Sequence, residues 1–450
     1  MVFERTKERC TPFLLFVITA AAFGGFLFGY HTAIISGALI FLTPSFQLSI
    51  IEQGMVVSII LIGALIGALS AGTLADRMGR KKTMALTSFL FIVGATTIAL
   101  SDSYTVLLWG RFISGLGVGV ISVAGPIYLA EVSPPHYRGA CVACYQLAIT
   151  IGMLISFLVS YFLAAAADWR WMFAIGIFPA ILQMFSLFFL PETPPWLFKH
   201  GFEEQGIKVL QRLRKDKEWI HQIKAMENSA SSHKKGTWKM LFSSQLRYVM
   251  IIGFCLSVFQ QITGVNIVIY YAPKIFQTAG VASATGAILA TLGIGAINVL
   301  ATLFATWLLD KAGRRILLLI GIGGMVLCLA LLALAFFLNT SMIATIAFFS
   351  LMGYVAFFAL GLGPVTWVVL SEIYPLKIRG KAMTVAFFGN WLFNYFISLI
   401  FLDLIGGFGP GGTFLLFALI SAISFWFVYR FIPETKGKSL EEIENLLINR

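Results

Sequence analysis

Charge is scarce in this sequence. Asp, Glu, Lys and Arg make up 12% of its 450 residues, against about a quarter in a soluble globular chain, and hydrophobic residues make up 59%. That shortage excludes a cytosolic enzyme and a disordered protein. Cysteine is scarce too: five residues are too few for a disulfide framework, which excludes a stapled secreted module. Cys141 and Cys144 form a C-x-x-C, but no second pair follows, and both read as packing residues alongside Cys255 and Cys328. No acidic residue lies deep inside an apolar run; Glu131 and Glu372 fall at one set of run ends and Glu52 at the other. A cationic ligand would lack a partner in the interior. No metal site or cofactor is expected, and no metal cluster, Ser–His–acid set or paired intramembrane carboxylates support an enzyme. The glycines of GRFISGLGVG lack the following Lys-Ser/Thr of a phosphate loop, so Gly115 and Gly119 read as close helix packing.

Long apolar runs dominate instead, and mean hydropathy is +0.89. Crossing a bilayer takes about 20 mostly apolar residues. Runs near 13–42, 51–74, 83–101, 105–131, 139–163 and 168–190 are followed by runs near 247–278, 284–309, 316–338, 343–372, 381–405 and 412–432. The first run is too long for the apolar core of a signal peptide, which spans about 7–15 residues. The chain therefore reads as an all-α membrane protein with twelve transmembrane helices.

The net charge of +12 belongs to short loops and forms no basic face, so no nucleic-acid partner is implied. Of 32 Lys and Arg, 29 fall in alternate loops beginning with the N-terminus; Arg170 and Lys274 lie in the opposite loops and Arg111 inside a run. The positive-inside rule puts both termini and the central loop in the cytoplasm. That loop, 191–246, is the one substantial polar stretch, where Val209, Leu213, Ile220 and Ile223 could give short helices an apolar side. It reads equally as a solvated linker or as a latch between halves.

The two sets of six runs repeat each other. LADRMGRK (74–81) returns as LLDKAGRR (308–315), AEVSPPHYRG (130–139) as SEIYPLKIRG (371–380), and PETPPW (191–196) as PETKGK (433–438). The copies lie between 234 and 242 residues apart, the mark of a duplicated six-helix unit in parallel orientation. The domains expected are a first half, 1–190, a linker, 191–246, a second half, 247–432, and a cytoplasmic tail, 433–450.

From Phe23 to Glu444 the chain resembles the sugar porters of the major facilitator superfamily, both bacterial sugar–proton symporters and animal facilitative glucose transporters. The resemblance rests on GTLADRMGRKK, GRFISGLGVG, PETPPWL, QQITGVNIVIYYAP, LLDKAGRR, GPVTWVVLSEIYP, the Asn390-Trp391 pair and PETKGKSLEE. It implies the major facilitator fold and alternating-access transport of a monosaccharide across the plasma (inner) membrane, by a protein functional as a monomer. Two positions depart from the family pattern. Pro195 stands where Arg is usual, and the first-run motif Phe28-Gly29-Tyr30-His31 has His where symporters carry Asp and facilitators often Asn.

Polar side chains stranded in the bilayer are informative because each needs a helix, water or ligand. The runs hold Gln146, Gln260, Gln261, Asn266, Asn298, Asn390 and Asn394. An amide both donates and accepts, as a sugar hydroxyl does, and Phe28, Tyr270, Trp367 and Trp391 offer faces for the C–H side of a sugar ring. The resemblance places these residues in or beside the sugar pocket; the bland reading of each amide is interhelical hydrogen bonding.

His31 and Arg111 are the ionisable groups within the membrane, about 27 Å along the first helix from Phe13 and about 9 Å into the fourth, hence at compatible depths. The resemblance implies proton coupling there, giving sugar–proton symport; an imidazole that stays neutral would leave a uniporter. Asp76, Arg80, Glu131 and Arg138 in one half, with Asp310, Arg314, Glu372 and Arg379 in the other, are the expected cytoplasmic gate. A membrane sugar sensor is a further class, disfavoured because only about 18 residues follow the last run, too few for a signalling domain.

Overall fold

The computed structural model describes residues 11–134, 137–213, 238–241, 243–309, 311–375, 378–438 and 442. Asp310, Ile220 and Ile223 lie outside the described residues. Span one is α1 (Pro12–Ala33) continued by α2 (Ile35–Ser45). It starts where the Thr11 hydroxyl accepts a hydrogen bond from the Leu14 N–H, with Pro12 at the first helical position, where its missing N–H does no harm. Spans two to five are α3 (Ile50–Met78), α4 (Arg80–Ala99), α5 (Tyr104–Val132) and α6 (Arg138–Ala164). Span six is α7 (Trp169–Ala174) with α8 (Ile177–Phe189). Among the described residues, three short helices follow: α9 (Pro194–Lys199), α10 (Glu203–Leu213) and α11 (Trp238–Leu241).

Span seven is broken into α12 (Ser244–Ile262) and α13 (Val265–Thr278), and span ten into α16 (Ile343–Leu360) and α17 (Leu362–Ile373). Between them run α14 (Ala284–Leu309) and α15 (Arg314–Leu338). The last helix, α18 (Arg379–Phe431), has 53 residues, far more than one crossing needs. Its backbone leaves the helical region at Gly409, just before Pro410, so it carries spans eleven and twelve in succession. Among the described residues, eleven helical stretches are thus long and apolar enough to cross a membrane, and the last is double.

Within the first six spans, α3 packs along α5 and α1 along α6; within the last six, α15 packs against α16 and α18. The close approach of α3 and α5 uses glycine. A Cβ on Gly115 would lie 2.1 Å from the Ile60 carbonyl oxygen, and one on Gly119 2.0 Å from that of Ala64. Any side chain there would push the helices apart. The two sets of six meet along α3 with α18, α6 with α14, and α2 with α13. After span six, α10 buries Leu210 and Leu213, partly buries Val209, and lays the Arg212 guanidinium 4.3 Å from the centre of the Phe13 ring at the start of α1.

Candidate functional site

The break in span seven creates the site's main wall. Gly264 has φ +97° and ψ +16°, a left-handed backbone that glycine adopts without strain. The Thr263 carbonyl freed there accepts a hydrogen bond of 2.8 Å from the Tyr354 hydroxyl, which satisfies it in the apolar interior. Gln260 and Gln261 end α12 just before the break and Asn266 begins α13 just after it, so the local turn brings three amides together.

These amides form a chain across four helices. Asn266 Nδ2 donates to Gln261 Oε1 at 2.7 Å, and Gln261 Nε2 donates to Asn390 Oδ1 at 3.1 Å. Asn390 Nδ2 in turn donates to Gln260 Oε1 at 2.7 Å and to the Ser257 carbonyl at 2.9 Å. Gln260 Nε2 reaches the carbonyls of Leu362 and Gly363, at the start of α17, at 2.8 and 3.0 Å. Neighbouring Asn394 is hydrogen-bonded to Tyr270 and accepts from Ser398 Oγ at 3.2 Å. Much of the amide capacity is thus spent between helices, and each remaining donor or acceptor is held in a fixed direction.

The first six spans supply the facing groups. Phe28 of α1 meets Trp391 with ring centres 6.1 Å apart, a contact across the two halves. Trp391 is buried with its Nε1–H unpartnered. Asn298 of α14 also faces the other half, 3.8 Å from Met153 Sδ, a weak acceptor for an amide. Gln146 on α6 is exposed, well apart from the amide chain in its bonding, and Trp367 stacks on Phe387 at 4.4 Å. The structure therefore joins Gln260, Gln261, Asn266 and Asn390 into one network, pairs Tyr270 with Asn394 and Phe28 with Trp391, and leaves Gln146 and Trp367 outside these contacts.

His31 and Arg111 are neighbours, but not through the imidazole. Arg111 is buried and donates to the backbone carbonyls of Val56, His31 and Val57 at 3.1, 3.1 and 3.2 Å. The His31 ring stacks on Phe91 at 4.4 Å with planes 8° apart, and its Nε2 is buried without a partner. The guanidinium is held by main chain where a carboxylate would otherwise serve, and one imidazole nitrogen is left without a hydrogen-bond partner.

The repeated charged motifs gather at one end of the molecule. Arg80 grips Glu131 with two hydrogen bonds of 3.0 and 2.9 Å and reaches Asp76 at 3.2 Å; Thr193 Oγ1 adds a 2.5 Å bond to Glu131. In the second copy Arg314 contacts Glu372 at 3.1 and 3.2 Å. Arg138 and Arg379 donate instead to the carbonyls of Ala130 and Tyr374. Each of these ion pairs joins helices of the same half. The PET motifs, missed as site residues by sequence reasoning, brace both clusters. Glu192 accepts from the Arg80 and Lys81 N–H groups at the start of α4, as Glu434 does from those of Arg314 and Arg315. Burial pushes the Glu192 carboxyl above the usual carboxylate range, against the opposing pull of those N–H groups and Arg80. The repeat itself was the signal that could have found them.

At the opposite end α3 touches the other half residue by residue. Lys274 Nζ donates to Gln53 Oε1, a Cβ on Gly54 would lie 2.4 Å from the Leu399 carbonyl, and the Tyr395 hydroxyl lies 3.9 Å from Met55 Sδ. No motif in the sequence marks this seam.

The family described as Sugar (and other) transporter matches residues 17–447. The chain is similar to the glucose transporter GlcP of Staphylococcus epidermidis (strain ATCC 12228 / FDA PCI 1200), 37% identical over 98% of each chain. It is similar to the D-xylose-proton symporter of Escherichia coli (strain K12), 36% identical over 97% of this chain and 96% of that one. Among solved structures, the inward open conformation of the xylose transporter XylE from E. coli matches with a TM-score of 0.85 and 33% identity, covering 96% of this chain and all of that one.

Proposed function

Because the chain belongs to the sugar porter family of the major facilitator superfamily, we propose that it carries a neutral monosaccharide through the plasma membrane by alternating access, as a sugar–proton symporter. The observation that carries this reading is the fixed amide chain Asn266–Gln261–Asn390–Gln260, set beside an aromatic contact, Phe28 with Trp391, that spans the two halves. Neutral donors and acceptors held in direction suit several hydroxyls of one sugar. The free Trp391 Nε1–H is a donor awaiting an oxygen, and the ring face beneath it suits C–H bonds.

The charged end is taken as cytoplasmic, with both termini, from the loop charge. Halves 1–190 and 247–432 rock about the site, 191–246 links them, 433–450 forms the tail, and one copy of the chain suffices. In the conformation described, the outer end is joined at Gln53, Gly54 and Met55, whereas Arg138, Cys144 and Gln146 on the cytoplasmic part of α6 are exposed. That fits an inward-facing state, in which the charge clusters brace each half internally. When the cytoplasmic end closes, the same charges meet across the halves.

Proton coupling is assigned to His31. Its free Nε2 takes up a proton from the acidic outer side with the sugar and releases it inside, while Arg111, tied to three carbonyls, stays in place as the fixed charge beside it. Counterflow into proteoliposomes loaded with unlabelled sugar tests the substrate class: labelled hexoses and pentoses should exchange saturably and compete with each other. Exchange of charged solutes but of no sugar would overturn the reading.

A further inference from the structure

Lys274 is an outlier of the charge pattern. The two cations that the charge pattern assigns to the outer side are Arg170 and Lys274, and both lie in helices, α7 and α13. Arg170 is accounted for at the surface by Asp102 at 3.2 Å, the Ser101 carbonyl at 2.7 Å and the ring of Trp169 at 4.2 Å. Lys274 is partly buried in α13, directly after Pro273, and among the described residues it forms no ion pair. Its ammonium donates across the halves to Gln53 Oε1 of α3, 221 residues away. Gln53 is itself buried, and its Nε2 donates to the Leu48 carbonyl at 3.0 Å, which turns the amide oxygen toward the lysine. Nearby Glu52 is turned away, its carboxylate engaged by the Ser49 N–H and hydroxyl in the capping box that starts α3.

The position of Lys274 on its helix gives the contact a mechanical consequence. Asn266, Tyr270 and Lys274 fall at intervals of four on α13, one above another on a single face. Asn266 is tied to Gln261, Tyr270 to Asn394, and Lys274 to the other half. From Asn266 to Lys274 is about 12 Å along a helix whose inner end turns at Gly264. A movement at the amide chain therefore reaches the outer seam through one rigid element.

We propose that the Lys274–Gln53 contact is a latch of the outer gate, and that Lys274 is a positioning residue that sets how often the protein opens outward. Resting on the alternating-access reading above, it assigns regulation of that motion to this pair. Opening the outer side strips the ammonium from a buried amide oxygen that nothing else on α3 satisfies, so the contact favours the closed seam. Gly54 and Met55 supply close packing beside it, and Lys274 alone supplies charge.

The test uses the full chain in right-side-out vesicles, without sugar. A reporter Leu399→Cys is labelled from outside with a membrane-impermeant maleimide, and the reporter-free chain gives the background from native cysteines. Lys274→Met and Gln53→Leu should each raise the labelling rate by about tenfold, as expected for losing a hydrogen bond to a charged group. The double variant should match either single, because both remove one contact. Lys274→Arg, which keeps a charged donor, should stay near the parent rate. Unchanged labelling in Lys274→Met, or additive effects of the two substitutions, would overturn the latch. Should Lys274→Met fail to reach the membrane, Gln53→Leu alone decides by the same readout. Because no sugar is present, failure of the latch is distinct from failure of the transport reading, which would show as absent exchange by the parent chain.

Discussion

At the scale of single residues, the proposed site offers neutral groups that are already half satisfied. Gln261 accepts from Asn266 and donates to Asn390, so it is the middle link of the amide chain. Gln261→Leu would leave buried Asn390 and partly buried Asn266 each with a lost bond, at about 1–3 kcal/mol for a buried unsatisfied group. The KM for sugar exchange should rise at least tenfold while the protein still folds; an unchanged KM would show that the chain only staples helices. Glu192 offers a second residue-scale test. Its folded carboxyl is raised by burial, so its contribution to stability is present at low pH and lost as pH rises through the raised value. Glu192→Gln should therefore flatten that part of the melting profile in detergent. Glu192→Ala should lower the melting temperature at every pH, because the Arg80, Lys81 and Thr193 N–H groups lose their acceptor. Sequence alone pointed to the amides and to the His31–Arg111 pair, because polar atoms in apolar runs stand out. It could not show that Arg111 is satisfied by the carbonyls of Val56, His31 and Val57, since every residue carries a carbonyl and none is marked as the acceptor.

At the scale of elements, the broken spans are where the proposed mechanism places its moving parts. The hinge at Gly264 separates α12, fixed within its bundle, from α13, which contacts both the amide chain and the facing half. A Cβ there would meet the Phe417 ring at 3.2 Å and would hold a φ of +97° that side chains rarely adopt. Gly264→Ala should cut the exchange rate roughly tenfold or more through about 1–3 kcal/mol of backbone strain, with equilibrium sugar binding changed much less. Equal losses in binding and exchange would argue for a misfolded site instead of a stiffened hinge. The spans themselves were legible, because a run of 20 or so apolar residues admits few alternatives to a crossing helix. The breaks within spans seven and ten were not, since Gly264 and Gly361 are two among 42 glycines, most of which need no special backbone. The outer seam was equally hidden: Gln53 and Lys274 are joined by the fold alone.

At the scale of the whole molecule, the duplication visible in the sequence reappears as two matching charge clusters, Arg80 with Glu131 and Arg314 with Glu372. The repeated motifs implied a gate at this end; the structure shows each cluster holding its own half together. Loss of either acid should weaken closure of the cytoplasmic end. Glu131→Gln or Glu372→Gln should raise labelling of the exposed native Cys144 by a cytoplasmic-side thiol reagent severalfold, since a few kcal/mol suffices to shift such a two-state balance. Labelling at the parent rate would remove the clusters from the gating scheme. On the proposed mechanism, sugar passes between the halves with a proton carried by His31. Its most direct test is sugar accumulation in proteoliposomes under an imposed gradient of one pH unit, acidic on the outer side. One pH unit is worth about 1.4 kcal/mol, so one proton per sugar should drive accumulation toward tenfold, abolished by a protonophore, while His31→Leu should equilibrate sugar without concentrating it. Sugar that only ever equilibrates through the parent protein, with or without the gradient, would contradict it.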